Sequence, residues 1–167
     1  MDLVRYLLEI SGLNQERLQL RWVSATEGQQ FADYVTELTN TLRELGPLDR
    51  DRMELPLAAV SRAIMDPNLR WLMGIERQLT ERENVYHERL DPAAYDQLVK
   101  SCATEEYHRD LIYETLQAGP QTVRQLAART GLPIYTISLR LNDLEKISLV
   151  NILGHEGTSP KFGILAA

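Results

Sequence analysis

TGLPIYTISLRLNDLEKISLV, residues 130–150, decides the fold of the C-terminal third of this chain. Gly131 stops one helix and provides a tight turn. Pro133 opens the next at its first turn, where a missing N–H costs nothing. Ile137, Leu141 and Leu144 then recur at i, i+4 and i+7, which is one buried stripe. Leu149–Leu153 is a strand candidate. Upstream, Glu105–Ala118 carries Leu111, Ile112, Tyr113 and Leu116 at helical spacing. Thr104 is its candidate cap, with Glu105 and Glu106 in the dipole-favourable first turn. Gly119-Pro120 ends it, and Thr122 caps a short helix, Val123–Thr130, with Leu126 and Ala127 inward. Downstream, Gly154–Pro160 is a turn-rich tip and Lys161–Leu165 a returning strand. The expected unit is three helices followed by a β-hairpin.

Thr104–Leu165 as a whole resembles winged-helix transcription regulators, residues 130–150 matching their turn, recognition helix and exit strand. That resemblance implies a DNA reader, and the outward residues do not suit one. With the buried stripe removed, Ile134, Tyr135, Ser138, Leu139 and Asn142 remain on the outer face. A groove-reading helix uses Arg, Lys, Asn or Gln to reach base edges and phosphates. Residues 104–167 hold six Lys/Arg against seven Asp/Glu, without the basic footprint of nucleic-acid binding. Ile134, Tyr135 and Leu139 therefore read as a protein contact. Under the alternative, a DNA-binding regulator, Thr136, Ser138, Arg140, Asn142 and Lys146 are the contact residues.

The 167 residues carry a formal net charge of −6, most of it before residue 104. An acidic N-terminal part argues against non-specific nucleic-acid or membrane binding. No apolar run approaches the roughly 20 residues that span a bilayer. Met1-Asp2 does not open a secretory signal. The single cysteine, Cys102, excludes an internal disulfide and fits a reducing cytoplasm, so the expected location is cytoplasmic.

Near the N-terminus, Asp2–Ser11 is an amphipathic helix with Leu3, Tyr6, Leu7 and Ile10 on one side. Arg17–Val23 alternates, Leu18, Leu20 and Trp22 against Gln19 and Arg21, which is the period of a half-buried strand. Ser24-Ala-Thr-Glu27 reads as a capping box. A helix runs on to Leu45 with Phe31, Val35, Leu38 and Leu42 inward, and Gly46-Pro47 closes it.

The string RLQLRWVSATEGQQFADYVTELTNTLRELGP, residues 17–47, resembles the C-terminal end of the delta subunit of methyl-viologen-reducing hydrogenase. The residues that carry the likeness are Leu20, Trp22, Val23, Ser24, Ala25, Glu27, Gly28, Phe31 and Leu45-Gly46-Pro47. Thr80–Asp91 resembles an extension seen in some members. The resemblance implies a small iron–sulfur protein that passes electrons to heterodisulfide reductase, in complexes of anaerobes that perform flavin-based bifurcation. This chain departs from it in one respect: cluster ligation needs four thiolates or their equivalents, and Cys102 stands alone outside the matching segment. No cluster-binding residue carries over.

In the middle, Glu54–Met65 is a helix candidate with Pro56 in its first turn. Asp66-Pro67 starts another helix, to about Leu79, and Asp91-Pro92 a third, to Cys102. Glu105 and His108 share a helix face, but a di-iron bundle needs a second Glu-x-x-His pair and two further glutamates. His87 and His155 lack ligand partners at metal spacing. Cys102 reads as a buried structural thiol, and Trp22 and Trp71 as core. No P-loop or dinucleotide fingerprint is present.

The expected fold is mainly α with small β. It comprises a helix–strand–helix segment over 1–48, a helical bridge over 49–103 and a winged helix over 104–167. The expected function is that of a non-catalytic accessory component of a redox complex, without cofactor of its own. Its partners would be a heterodisulfide-reductase-like chain bearing FAD and iron–sulfur clusters, or a cysteine-bearing delta-type chain. A second copy of the same chain is a further candidate partner. Leu18, Leu20, Trp22, Ile134, Tyr135 and Leu139 are the expected contacts.

Overall fold

The computed structural model describes residues 2–165. It is mainly helical with one small antiparallel sheet. Helix α1 (Asp2–Ile10) buries Leu7 and Leu8. A single 3-10 turn follows at Gln15–Arg17, capped by the Asn14 side chain. Then come α2 (Gly28–Leu45), α3 (Arg50–Met65), α4 (Pro67–Gly74) and the short α5 (Glu76–Thr80). Helix α6 (Pro92–Leu116) is the longest element, at 25 residues. The last third is β1 (Gln121–Thr122), α7 (Val123–Thr130), α8 (Ile134–Lys146), β2 (Val150–Glu156) and β3 (Ser159–Ile164). No helix among the described residues is long and apolar enough to cross a membrane.

The C-terminal third folds as its pattern dictates. The Thr122 side chain accepts from the Gln125 N–H while Gln125 reaches back, a full capping box on α7. Gly131 ends α7 at φ +72°, a left-handed position suited to glycine. Ile137, Leu141 and Leu144 are buried with Ile112, Leu116, Leu126, Val150 and Phe162. Strand β3 lies centrally, in the order β1-β3-β2, with Val150 opposite Ile164 and Gln121 opposite Phe162. Three helices backed by this sheet, with the β2–β3 hairpin projecting, are the arrangement of a winged helix.

Helix α6 departs from expectation. Two helices meeting at Cys102/Thr104 were expected, and one continuous helix is found. Thr104 caps nothing; its hydroxyl bonds the Lys100 carbonyl one turn back and the Tyr6 hydroxyl of α1. The start at Asp91-Pro92 holds, the Asp91 carboxylate accepting from the Ala93 and Ala94 N–H groups. A polar run at Thr104-Glu-Glu signals a cap only if the preceding residues are not already helical. Here Ala103, Tyr107 and Leu111 keep one face of α6 in a core with Leu7, Leu8, Ala59, Val60, Ala63 and Leu69. Ile112 and Leu116, further along, enter the winged-helix core. The expected division at 103/104 therefore falls inside a helix that serves both cores.

Two smaller differences concern the middle. Helix α3 starts at Arg50, capped by Asp49, so Pro56 sits inside it rather than in its first turn. The stretch from Asp66 is broken at Ile75 into α4 and α5.

Candidate docking faces

The segment after α1 is built differently from the expected helix–strand–helix. Arg17–Val23 is not a strand: Arg17 closes the 3-10 turn, and Leu18–Ser24 runs on without regular structure. Leu18 itself has strand dihedrals, φ −122° and ψ 116°. The period-two pattern is real, but a strand needs a neighbour, and the described residues offer none here. The capping box is half made. Glu27 reaches back to the Ser24 N–H at 2.9 Å, while the Ser24 hydroxyl meets Thr26 instead.

Helix α2 buries no residue. It is tied to the preceding segment by the Arg17 guanidinium, which donates to the Leu45 and Gly46 carbonyls at 3.0 and 2.8 Å, and by Arg21, which pairs with Glu37 at 3.4 Å. Phe31, Val35 and Leu42, expected inward, face solvent, Phe31 at 60% exposure. Leu38 is half-buried. Trp22, expected in the core, is 86% exposed, and Leu20 is 48% exposed. Leu18 is half-buried against the α1–α3–α6 core and anchors the segment to the body. Phe31, Val35, Leu38, Leu42 and Leu45 repeat at 4-3-4-3, the spacing of a seam that packs against another element. The residues flanking that seam, Ala32, Tyr34, Thr39 and Thr41, are uncharged.

The second face lies on the winged helix. Ile134, Tyr135 and Leu139 project from α8 into solvent, Tyr135 at 77% exposure, and Ile152 and Leu153 are exposed on β2. Of the residues read as DNA contacts, Ser138, Asn142 and Lys146 are exposed and Thr136 is half-buried. Arg140 is not free to reach a phosphate. It is 7% exposed and its guanidinium pairs with Glu105 on α6 at 2.7 Å and Asp143 at 3.3 Å. This charge pins α8 to α6. Arg140→Ala is expected to lower stability by about 1–3 kcal/mol, since it strips a charged hydrogen bond from a buried site. Urea denaturation followed by circular dichroism measures it.

A third feature has no signature in the sequence because its partners lie 48 residues apart. Arg62 of α3 donates from Nε to Asp110 of α6 at 2.8 Å and lies over the Tyr113 ring at 3.9 Å. Asp110 is buried, and its second oxygen has no partner. Burial pushes its carboxyl up to about 7, Glu106 one turn away adds to the rise, and Arg62 and Arg109 oppose it. Burial also raises Glu106 and lowers His108. A folded-state pKa above the unfolded one means that Asp110 favours folding below the ordinary carboxylate range. That contribution is lost as pH rises through about 7. Asp110→Asn, which needs no ionisation and can still accept from the Arg62 Nε, is therefore expected to gain stability relative to the parent between pH 5 and pH 8 by on the order of 1–2 kcal/mol. Thermal unfolding at the two pH values checks it.

Chemistry-bearing residues elsewhere do not converge. Glu105 and His108 are side by side on α6, but no group of three or more His, Cys, Asp or Glu suited to a metal ion occurs among the described residues. Cys102, expected to be buried, is half-buried and lines a cleft of about 320 Å³ between α4 and α6 with Asp66, Leu98, Glu106 and Arg109. Trp71, expected in the core, stands at the rim of this cleft and is largely exposed. One thiol cannot supply the ligand set of an iron–sulfur cluster.

Parts of this chain are similar to known proteins. A 50-residue stretch is 42% identical to the iron–sulfur subunit of the F420-non-reducing hydrogenase of Archaeoglobus profundus, covering 30% of this chain and 36% of that protein. A 48-residue stretch is 38% identical to one subunit of the ferredoxin:CoB-CoM heterodisulfide reductase of Methanosarcina mazei, covering 29% of this chain and 6% of that protein. The corresponding Methanosarcina acetivorans protein, from a ferredoxin/F(420)H(2)-dependent CoB-CoM heterodisulfide reductase, is 35% identical over 48 residues. The chain thus spans little more than a third of one of these relatives and a small fraction of the others. No solved structure matches. The resemblance drawn at Thr80–Asp91 lies outside the residues that the family model matches. Residues 1–46 match the family model of the methyl-viologen-reducing hydrogenase delta subunit, so the likeness read from Leu20, Trp22 and Phe31 holds for the N-terminal segment.

Proposed function

We propose that this chain is a non-catalytic, accessory component of a cytoplasmic redox complex of the heterodisulfide reductase or hydrogenase kind, docked through its delta-like segment. The observation that carries this reading is the bare apolar surface of that segment. Leu20, Trp22, Phe31, Val35 and Leu42 are exposed together on the stretch that matches subunits of such complexes. An apolar patch of this kind marks a contact with another protein. Ile134, Tyr135 and Leu139 on α8 offer a second contact to the same assembly. The redox chemistry belongs to the partner, which supplies FAD and iron–sulfur clusters, while this chain binds neither. The partner is a heterodisulfide-reductase-like flavin protein or a cysteine-bearing delta-type chain.

The test is anaerobic purification of the tagged chain from its native host. Recovery of a stoichiometric flavin- or cluster-bearing component of a heterodisulfide reductase or hydrogenase is the expected result. The chain stripped from that complex should contain no iron and no flavin. A chain that purifies alone, or that carries stoichiometric iron itself, contradicts the proposal.

A winged-helix regulator is the second reading, favoured by the complete helix–hairpin unit. It must do without Arg140, which is committed to Glu105. Few free cations release few counterions, so affinity should fall below the roughly 10⁻⁴–10⁻⁶ M of ordinary non-specific binding. Salt-sensitive, sequence-selective retardation of its own promoter at nanomolar protein would instead establish the regulator.

A further inference from the structure

A groove of about 880 Å³ runs between the end of α1, the first half of α3, the later turns of α6 and the end of α7. It lies where the N-terminal body meets the winged helix, and ligands bind preferentially at such junctions. Leu55, Pro56 and Leu111 give it an apolar wall. Tyr107 of α6 lines it too, although it is only 5% exposed. The Tyr107 hydroxyl bonds no group among the described residues, and burial alone pushes it up to about 12, so it stays neutral. A hydroxyl taken out of water without a partner is costly, and this one can be satisfied only from the groove.

Two more uncharged oxygens belong to residues of the same groove. Ser11 is 8% exposed, and its hydrogen is committed to the Leu8 carbonyl at 2.6 Å, which leaves it only the capacity to accept. Pro56 sits inside α3 without an N–H, so the Arg52 carbonyl one turn earlier loses its helical donor. The electrostatics of the groove are negative. The C-terminal ends of α1, α6 and α7 border it, each with a partial negative charge. Asp51, Glu54 and Glu114 outnumber Arg52 and Arg129 there, and none of the five forms an ion pair among the described residues. Glu114 is half-buried and the other four are exposed, so the charge held inside is a carboxylate. A primary ammonium has three N–H donors and no acceptor. It complements three available oxygens in a negative field, where an anion does not.

We propose that this groove binds a primary alkylammonium group, its donors taken up by the Ser11, Tyr107 and Arg52 oxygens, its charge facing Glu114 and its carbon chain against Leu55 and Leu111. The group belongs either to a free amine or to a lysine of another protein. The site is separate from the delta-like segment and does not depend on docking there.

The probe is butylammonium, titrated into the isotope-labelled full chain and followed by NMR. The Ser11, Gly12, Tyr107 and Thr130 amides should move and saturate in the millimolar range. Tetramethylammonium has the charge without an N–H, and butyrate has a similar chain with the opposite charge; neither should saturate. Tyr107→Phe deletes only the hydroxyl. It should weaken butylammonium about 10-fold, the change that corresponds to roughly 1.4 kcal/mol, and leave the melting temperature at or above the parent's. Pro56→Ala returns an N–H to the Arg52 carbonyl. It should raise the melting temperature and still weaken butylammonium by a similar factor, opposite shifts that a purely structural role would not produce. Absence of saturation, an equal response to tetramethylammonium or butyrate, or parental binding by Tyr107→Phe would overturn the proposal. Two further arms separate the sources. An amine released on denaturing the chain purified from its native host, identified by mass spectrometry, marks a free amine. A carbodiimide cross-link from Glu54 or Glu114 to a lysine of another chain marks a protein ligand. Finding neither would overturn the assignment of a ligand in the cell.

Discussion

Trp22→Ala should weaken the association of this chain with the proposed redox partner by about 100-fold or more, and leave its folding intact. Trp is the side chain most enriched among residues that dominate interface energies, where truncation costs at least about 2 kcal/mol. Trp22 is 86% exposed and contributes almost nothing to the cores of the free chain. The usual cost of truncating a buried aromatic is therefore absent from the stability measurement. It appears only on binding, when the indole leaves water. Phe31 and Val35, exposed on the helix that follows, should show smaller losses in the same direction. Titration calorimetry of the purified partner with each variant measures the affinity. Thermal unfolding of the free chains should give transitions that coincide with the parent. A Trp22→Ala variant that binds normally would mean that this face is not the docking surface, whatever its resemblance. A variant that binds poorly but also melts early would mean that Trp22 supports the fold.

The contrast between the two ends of the chain explains which features could be read from sequence. Between Gln121 and Ile164 every element packs against others within the same stretch or against the end of α6. Local signals such as the Thr122-x-x-Gln125 box, Gly131 and the Ile137–Leu141–Leu144 stripe therefore agree with tertiary structure. At the other end the pattern of Arg17–Val23 and of Phe31–Leu45 describes apolar faces. It does not say that an element to cover them lies within the chain. Reading Trp22 and Phe31 as inward assumed a sheet that these residues do not contain. The exposed cluster was legible only as a mismatch: one alternating segment in an otherwise helical N-terminal half. Arg62–Asp110 and Arg140–Glu105 were illegible for a different reason. Each joins residues far apart in sequence, and a charge on a helix face looks solvated until the facing helix is placed.

Leu141→Ala should have the largest effect on stability, and should reveal whether α6 makes one unit of the two cores. Leu141 is 1% exposed and packs in the winged-helix core with Ile112, Leu126, Ile137 and Leu144. Removing such a side chain costs about 2–5 kcal/mol, from lost transfer energy and the cavity left behind. That is a large share of a typical stability of roughly 5–15 kcal/mol. The melting temperature should fall by about 5–15 °C for a chain of this size. How the loss spreads depends on α6. Ala103, Tyr107 and Leu111 belong to the core formed with α1 and α3, and Ile112 follows directly in the other core, on the same unbroken helix. Melting the winged helix removes the packing from the last turns of α6, and with it Glu105's bond to Arg140 at 2.7 Å. Both cores should therefore lose stability together. Both tryptophans lie outside the winged helix; Trp22 already stands in solvent, so the change in fluorescence comes from Trp71 at the cleft between α4 and α6 and reports the N-terminal body, while far-ultraviolet circular dichroism reports all helices. In Leu141→Ala the two signals should shift by the same amount and stay superimposed. An early loss of circular dichroism with unshifted tryptophan fluorescence would show two independently folding units, separated within α6.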